Sequence, residues 1–239
     1  MEADAKSAII RIFHVFKSYG PKKALVDITL DVLKNEFILV TGPSGAGKTT
    51  LLKLLYMGEP ATEGQILVDG MNLSRIPRKR IPILRRKFGI IFQDYKLIPQ
   101  KSVYENVALV LEAAGKKHRL IQKKVRSVLR TVNMEDKAEA LPPSLSGGEQ
   151  QRVAVARAVV GDPKIILADE PTGSLDEDSA NDIINLLKGF HTRGGTVIVA
   201  THDKDLIRKT RGRLVRLGMG QLIESAERPS RSAEEQAEQ

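Results

Sequence analysis

FILVTGPSGAGKTTLLKLL, residues 37–55, decides the fold. FILVT (37–41) is a short continuous apolar run, as a strand buried on both faces requires. GPSGAGKTT (42–50) fits G-x-x-x-x-G-K-[ST], and a helical apolar pattern follows until Gly58 and Pro60 end it. Glycines at 42, 45 and 47 let the backbone curl so that successive N–H groups point inward. Those donors and the helix N-terminus behind them hold phosphate oxygens. The phosphate cradle is therefore Gly42, Pro43, Ser44, Gly45, Ala46, Gly47, Lys48, Thr49 and Thr50. Lys48 reaches the β- and γ-phosphates, and the Thr49 hydroxyl can ligate Mg²⁺.

A phosphate site of this kind needs a metal carboxylate and a group that activates water. KIILADE (164–170) supplies both: four apolar residues deliver Asp169 to the carboxyl end of a strand, where α/β ligands bind, and Glu170 follows. Asp169 is expected to hold Mg²⁺ through water and Glu170 to act as general base. Alone, an apolar run before Asp-Glu is also an ordinary strand end; the upstream cradle gives it meaning.

LSGGEQQR (145–152) places two glycines side by side where a helix is starting; glycine costs roughly 1 kcal/mol against alanine in a helix interior. Ser146 is a good N-cap, and Glu149 three residues on completes a capping box. Gly147 and Gly148 leave bare N–H groups at the positive helix end, open to an anion. The chain already has one phosphate cradle, so a second suits a nucleotide brought by another subunit.

With these three motifs in order, the sequence resembles the ABC-transporter ATPase family over about residues 9–222. The resemblance implies ATP and Mg²⁺ as ligands and a homodimer in which two cassettes pack head to tail. Each ATP then lies between one phosphate loop and Ser146, Gly147, Gly148 and Glu149 of the other copy. It further implies adenine stacking on Tyr19, contact of Gln93 with Mg²⁺ and the attacking water, and a loop, Ser174-Leu175-Asp176, crossing to the partner. His202 is implied as a switch touching the γ-phosphate. The implied catalytic set is Glu170, His202 and Lys48, and the implied metal set Thr49, Gln93 and Asp169. Two departures are Asn35, where many relatives have glycine, and Thr49 for the commoner serine. Asn tolerates a left-handed turn and Thr keeps the hydroxyl, so neither is expected to matter.

The implied fold class is α/β: a P-loop ABC cassette with a mostly parallel sheet core, an N-terminal antiparallel β part and an inserted helical subdomain. Periodicity agrees, with strands expected at 9–16, 25–32, 64–69, 88–92, 164–169 and 196–201 and helices near 177–190 and 203–210. A small strand pair is expected near 213–223. From 101 to 140 the pattern turns helical and charged; Val125, Val128, Leu129 and Val132 fall at 0, 3, 4 and 7. The division expected is 1–92 and 145–224 for the core, 93–144 for the glutamine loop and helical subdomain, and 225–239 for a disordered tail without apolar packing residues.

Of the 239 residues, 41% are hydrophobic and none is cysteine, which excludes disulfides and thiolate metal sites. No apolar run reaches the roughly 18 residues of a membrane span, and no secretory signal is visible at the N-terminus. A single cassette without a span implies docking on a separate integral membrane subunit and a peripheral place at the cytoplasmic face of the bacterial inner membrane. The segment DYKLIPQKSVYENVAL (94–109) most resembles the cell-division branch of the family. ATPases serving lipoprotein or macrolide export share the cassette and remain the alternative. Net charge is +9, and residues 75–88 and 116–130 carry seven Lys/Arg each. Such runs are either solvated faces or partners of an anionic membrane leaflet. Nucleic acid is not expected: the long coiled-coil or zinc insertions of DNA-handling relatives are absent.

Overall fold

The computed structural model describes residues 7–226. Strands β1 (Ala8–Tyr19) and β2 (Lys22–Leu33) pair antiparallel across the Gly20-Pro21 turn. Asn35 then takes φ 53°, the left-handed turn expected of it, and leads into β3 (Phe37–Thr41). The glycine loop opens α1 (Lys48–Leu55). Strands β4 (Glu63–Val68) and β5 (Met71–Asn72) form a hairpin whose two connecting residues, Asp69 and Gly70, both have positive φ, as a tight hairpin turn prefers. Next come α2 (Ile81–Arg85), β6 (Phe88–Ile91), α3 (Val103–Ala113) and α4 (His118–Thr131). The rest of the chain forms α5 (Gly147–Val159), β7 (Ile165–Asp169), α6 (Glu177–Thr192), β8 (Thr196–Ala200), α7 (Lys204–Lys209), β9 (Arg213–Gly218) and β10 (Gln221–Ala226).

Two sheets result. The antiparallel one runs β2-β1-β4-β5; the main one runs β10-β9-β3-β8-β7-β6. In the main sheet β9, β3, β8, β7 and β6 are mutually parallel, and β10 folds back on β9. The expected strand pair at 213–223 is thus an extension of the parallel core, and its second strand reaches Ala226, two residues into the expected tail. The remainder of that tail lies outside the described residues. The strand β5 and helix α2, of two and five residues, carry too few positions for a period to be read.

Alternation along the central strands divides the core in two. Leu39, Val197, Val199, Ile166 and Ala168 face the helical side, packed with α3 to α6. Ile38, Val40, Ile198, Ile165 and Leu167 face α1 and the antiparallel sheet. Both faces are covered, which is why these strands read as continuous apolar runs. In α4, Ile121, Val125 and Leu129 are buried at spacing four, and the cations point away from that stripe. Val132 is buried too, one residue past the helix end.

Register sets the site. Val40 of β3 pairs with Ala200 of β8, and Asp169 of β7 pairs with the same Ala200. The phosphate loop, Asp169-Glu170 and Thr201-His202 therefore leave the sheet at one edge. Among the described residues no helix is long and apolar enough to cross a membrane.

Candidate functional site

At that edge lies a cleft of about 570 Å³ lined by Tyr19, Lys22, Ala24, residues 43–50, Gln93, Glu170 and His202. The loop takes its shape from glycine. Gly42 has φ 147°, and a Cβ there would sit 2.2 Å from the Leu217 carbonyl oxygen. Gly47 has φ 103° and starts α1 without a side-chain cap, so the first-turn amides are left for a ligand.

Lys48, only 7% exposed, donates to the Gly42 carbonyl at 2.9 Å and lies 3.4 Å from Glu170 Oε1. The Thr49 hydroxyl donates to Asp169 Oδ1 at 3.1 Å. Burial, aided by the neighbouring Glu170 charge, pushes the Asp169 carboxyl above its ordinary value; the Thr49 bond and Lys48 only partly oppose this. Glu170 is itself buried and has φ 46°. A left-handed residue without glycine's freedom persists only where its surroundings hold it. Here its N–H donates to the Ala200 carbonyl at 2.8 Å, and its carboxylate accepts from Thr201 Oγ1 at 3.2 Å and the His202 amide at 3.3 Å. His202 Nδ1 lies 2.8 Å from Oε1. A buried carboxylate, a cation, a hydroxyl–carboxylate pair and the uncapped N-terminus of α1 thus meet at one cleft.

The family model described as ABC transporter matches residues 25–173. The chain belongs to the ABC transporter family. Among curated relatives of this ABC cassette, the cell division ATP-binding protein FtsE of Bacillus subtilis is 42% identical over 92% of this chain and 97% of its own. FtsE of Escherichia coli is 44% identical over 90% of this chain and 97% of its own. A solved structure, the dimeric ATP-binding cassette MJ0796 in a post-hydrolysis state bound to ADP and Pi, superposes at TM-score 0.86. It is 33% identical, covering 92% of this chain and 99% of that one.

Other residues singled out in the sequence lie apart from the cleft of their own cassette. Ser146 caps α5 by accepting from the Glu149 amide at 3.3 Å, and Glu149 accepts in return from the Ser146 amide at 2.9 Å, the reciprocal box the spacing predicts. Hydrogen bonds from Lys137 and the Ser146 amide hold the Glu149 carboxyl low. Gly147 and Gly148 do begin the helix. Gly148, however, is not an open surface: a Cβ there would meet Ser179 Oγ at 2.4 Å and Ser179 Cβ at 2.9 Å. Its bareness is demanded by the packing of α5 on α6, a reason for glycine within the chain that is separate from the approach of an anion to its N–H. Asp176 caps α6, accepting from the Ser179 amide at 2.9 Å, and Leu175 packs on the helical-side core.

Several residues that hold this site escaped sequence reading. Lys17 Nζ lies 4.8 Å from the centre of the Tyr19 ring, a cation–π support, while the Tyr19 hydroxyl donates to Glu59. Gln151, 1% exposed, donates to the Pro171 carbonyl at 2.7 Å, tying α5 to the residue after Glu170. Thr172 Oγ1 donates to Asp203 at 2.8 Å, and Asp203 caps α7. Apart from Lys17 over Tyr19, each is a contact between residues 20 or more apart in sequence. Only the position of Thr172 and Asp203 beside Glu170 and His202 offered a signal.

Proposed function

We infer that this chain is the ATP-binding and ATP-hydrolysing subunit of an FtsEX-type ABC complex. It would couple closure of an ATP-bound homodimer to an FtsX-like integral membrane subunit that regulates septal cell-wall hydrolysis in cell division. The observation that carries the chemistry is the convergence of Lys48, Thr49–Asp169 and Glu170–His202 on one cleft. The division role is supported by relatives named for it across nine-tenths of the chain.

Thr49 and Asp169 offer hard oxygen donors, and a carboxyl raised by burial gains from a nearby cation. This suits Mg²⁺, which is bound through one or two protein oxygens plus water and phosphate oxygens. Bound there, it would neutralise charge on the triphosphate. Gln93, which lines the same cleft, would complete that side. The loop amides of 42–50 and Lys48 hold the triphosphate, and Tyr19 takes the adenine face. Glu170 accepts a proton from water as the water oxygen attacks the γ-phosphorus; the bond from that phosphorus to the β,γ-bridging oxygen breaks, giving ADP and phosphate. His202 orients Glu170 and meets the γ-phosphate. Across the dimer, the α5 tip at Ser146–Glu149 and the loop Ser174–Asp176 close the site of the other copy.

A membrane subunit would find an apolar groove of about 590 Å³ between β6, α3 and α5. Phe88, Phe92, Val110 and Leu111 line it, with Arg85, Arg86 and Lys116 beside them. Affinity capture from bacterial membranes by the tagged, full chain tests the assignment: recovery of an FtsX-like subunit supports division. Recovery of a lipoprotein- or macrolide-exporter subunit instead replaces it with the export reading.

A further inference from the structure

We propose that Tyr95 is a positioning residue linking the loop at a chain's own nucleotide to the surfaces that chain lends its twin. The proposal rests on the composite dimeric site inferred above. Gln93 lines the phosphate cleft. Two residues on, Tyr95 and Lys96 take φ 57° and 50° in succession, a pair of left-handed residues neither of which is glycine. Such backbone persists only where it is over-determined. Arg157 of α5 supplies the restraint: its guanidinium donates to the Lys96 carbonyl and, at 2.6 Å, to the Tyr95 carbonyl. Arg157 is half-buried and burial lowers its pKa, so both carbonyls serve to satisfy a cation partly withdrawn from water.

That backbone shape aims the phenol at two other segments. Its hydroxyl lies 3.1 Å from Ser174 Oγ and 3.1 Å from where a Cβ on Gly147 would stand. Leu175 approaches the same point to 3.9 Å. One residue thus joins the backbone that Arg157 holds to the tip of α5 and the loop after Glu170. Gln93 answers to the nucleotide in its own cleft, whereas Gly147 and Ser174 face that of the twin. A shift of the loop on nucleotide binding moves the phenol and with it the seating of both donated surfaces. The glycine at 147 then has a reason inside the chain as well: a side chain would displace the Tyr95 hydroxyl.

Tyr95→Phe keeps the ring and removes only the hydroxyl. The test uses the full chain carrying Glu170→Gln, with pairing measured by analytical ultracentrifugation across ATP concentrations. Losing one neutral hydrogen bond is worth about fivefold, so two copies per symmetric dimer weaken pairing up to about 25-fold. Binding of a fluorescent ATP analogue by the unpaired chain is expected to stay unchanged, and the melting temperature without nucleotide to fall by no more than the loss of one exposed hydrogen bond accounts for. Ser174→Ala is expected to reproduce the defect. The double variant is expected to be no worse than either single one, since both remove the same bond. Unaltered pairing in Tyr95→Phe overturns the link, as do additive losses in the double variant. So does a fall in melting temperature or single-chain ATP affinity that accounts for the loss. If the Glu170→Gln parent itself fails to pair with ATP, the composite-site reading falls first, and this link with it.

Discussion

His202 Nδ1 stands 2.8 Å from Glu170 Oε1, yet the two side chains differ sharply in surroundings: that of Glu170 is 9% exposed, that of His202 70%. A buried carboxylate is therefore held from the open side of the cleft by a ring that solvent or a phosphate can reach. Glu170→Gln keeps the shape and deletes the base. Turnover is expected to fall about 10²–10⁴-fold, while ATP still binds and the dimer accumulates. His202→Ala is expected to cost less, roughly 10–100-fold. The Thr201 hydroxyl and the residue-202 amide still hold the carboxylate. Steady-state phosphate release by both variants, beside equilibrium ATP binding, checks the order; a more severe His202 defect would reverse the assignment of roles.

Gly42 sits at the turn from β3 into the phosphate loop with φ 147°, its missing Cβ aimed at the Leu217 carbonyl oxygen 2.2 Å away. Gly42→Ala meets both a forbidden backbone and fixed main chain of β9. A loss of about 3 kcal/mol in stability is expected, from strain and overpacking together, and is measurable by urea unfolding of the nucleotide-free chain. Phosphate binding is expected to weaken with it.

How much of this was legible follows from the distance over which each signal acts. The strand–loop–helix unit at 37–55 and the capping box at 146–149 are local, so spacing alone placed them. Asn35 was also local, and its positive φ matches the tolerance expected of Asn. Gly148 has a further reason that no local pattern records, the proximity of Ser179, 31 residues downstream. Gln151 on Pro171 and Arg157 on Tyr95 are of the same kind: polar side chains in a helix whose partners are backbone atoms of remote loops.

Asp69 joins the antiparallel sheet to the amino ends of the parallel strands by pairing with Lys87 and Lys164. Burial would raise its carboxyl, but hydrogen bonds from Lys164 and Lys87 outweigh that and hold it below the ordinary aspartate range. A carboxyl depressed by folding stabilises above its unfolded pKa of about 3.9, and the contribution drains as pH falls through the lower folded value. Asp69→Asn is expected to cost about 1–2 kcal/mol at neutral pH. The variant is also expected to lose stability less steeply than the parent as pH drops below about 4. Unfolding midpoints across acid pH check both, and parallel acid limbs would remove Asp69 as the cause.

The basic run at 75–88 divides by its contacts. Arg85 and Arg86 donate to the carbonyls of Met57 and Ala113, and Lys87 pairs with Asp69. Arg78, Lys79 and Arg80 instead stand exposed on a single 3-10 turn, near an exposed Ile83. If this turn meets the anionic leaflet, each cation adds about 1 kcal/mol of attraction. Co-sedimentation with vesicles containing phosphatidylserine is expected to drop when all three become serine, with binding to neutral vesicles low throughout. Equal binding to both vesicle types would assign the run to a solvated face.

The clearest separation of packing from nucleotide chemistry lies at Gly148. A methyl there collides with Ser179 Cβ as well as Oγ, and rotation of the hydroxyl relieves only the second clash. Gly148→Ala is therefore expected to destabilise the nucleotide-free chain by about 1–3 kcal/mol. Ser179→Gly in the same chain removes both opposing atoms, so thermal stability is expected to return most of the way, less the helix cost of about 1 kcal/mol for the new glycine. A glycine serving only the twin's phosphate predicts no change in the isolated chain. Melting curves of the single and double variants without ATP, beside ATP-driven pairing of the double variant, distinguish the two. Restored folding with restored pairing places the requirement in the α5–α6 contact, and restored folding without pairing returns part of it to the nucleotide.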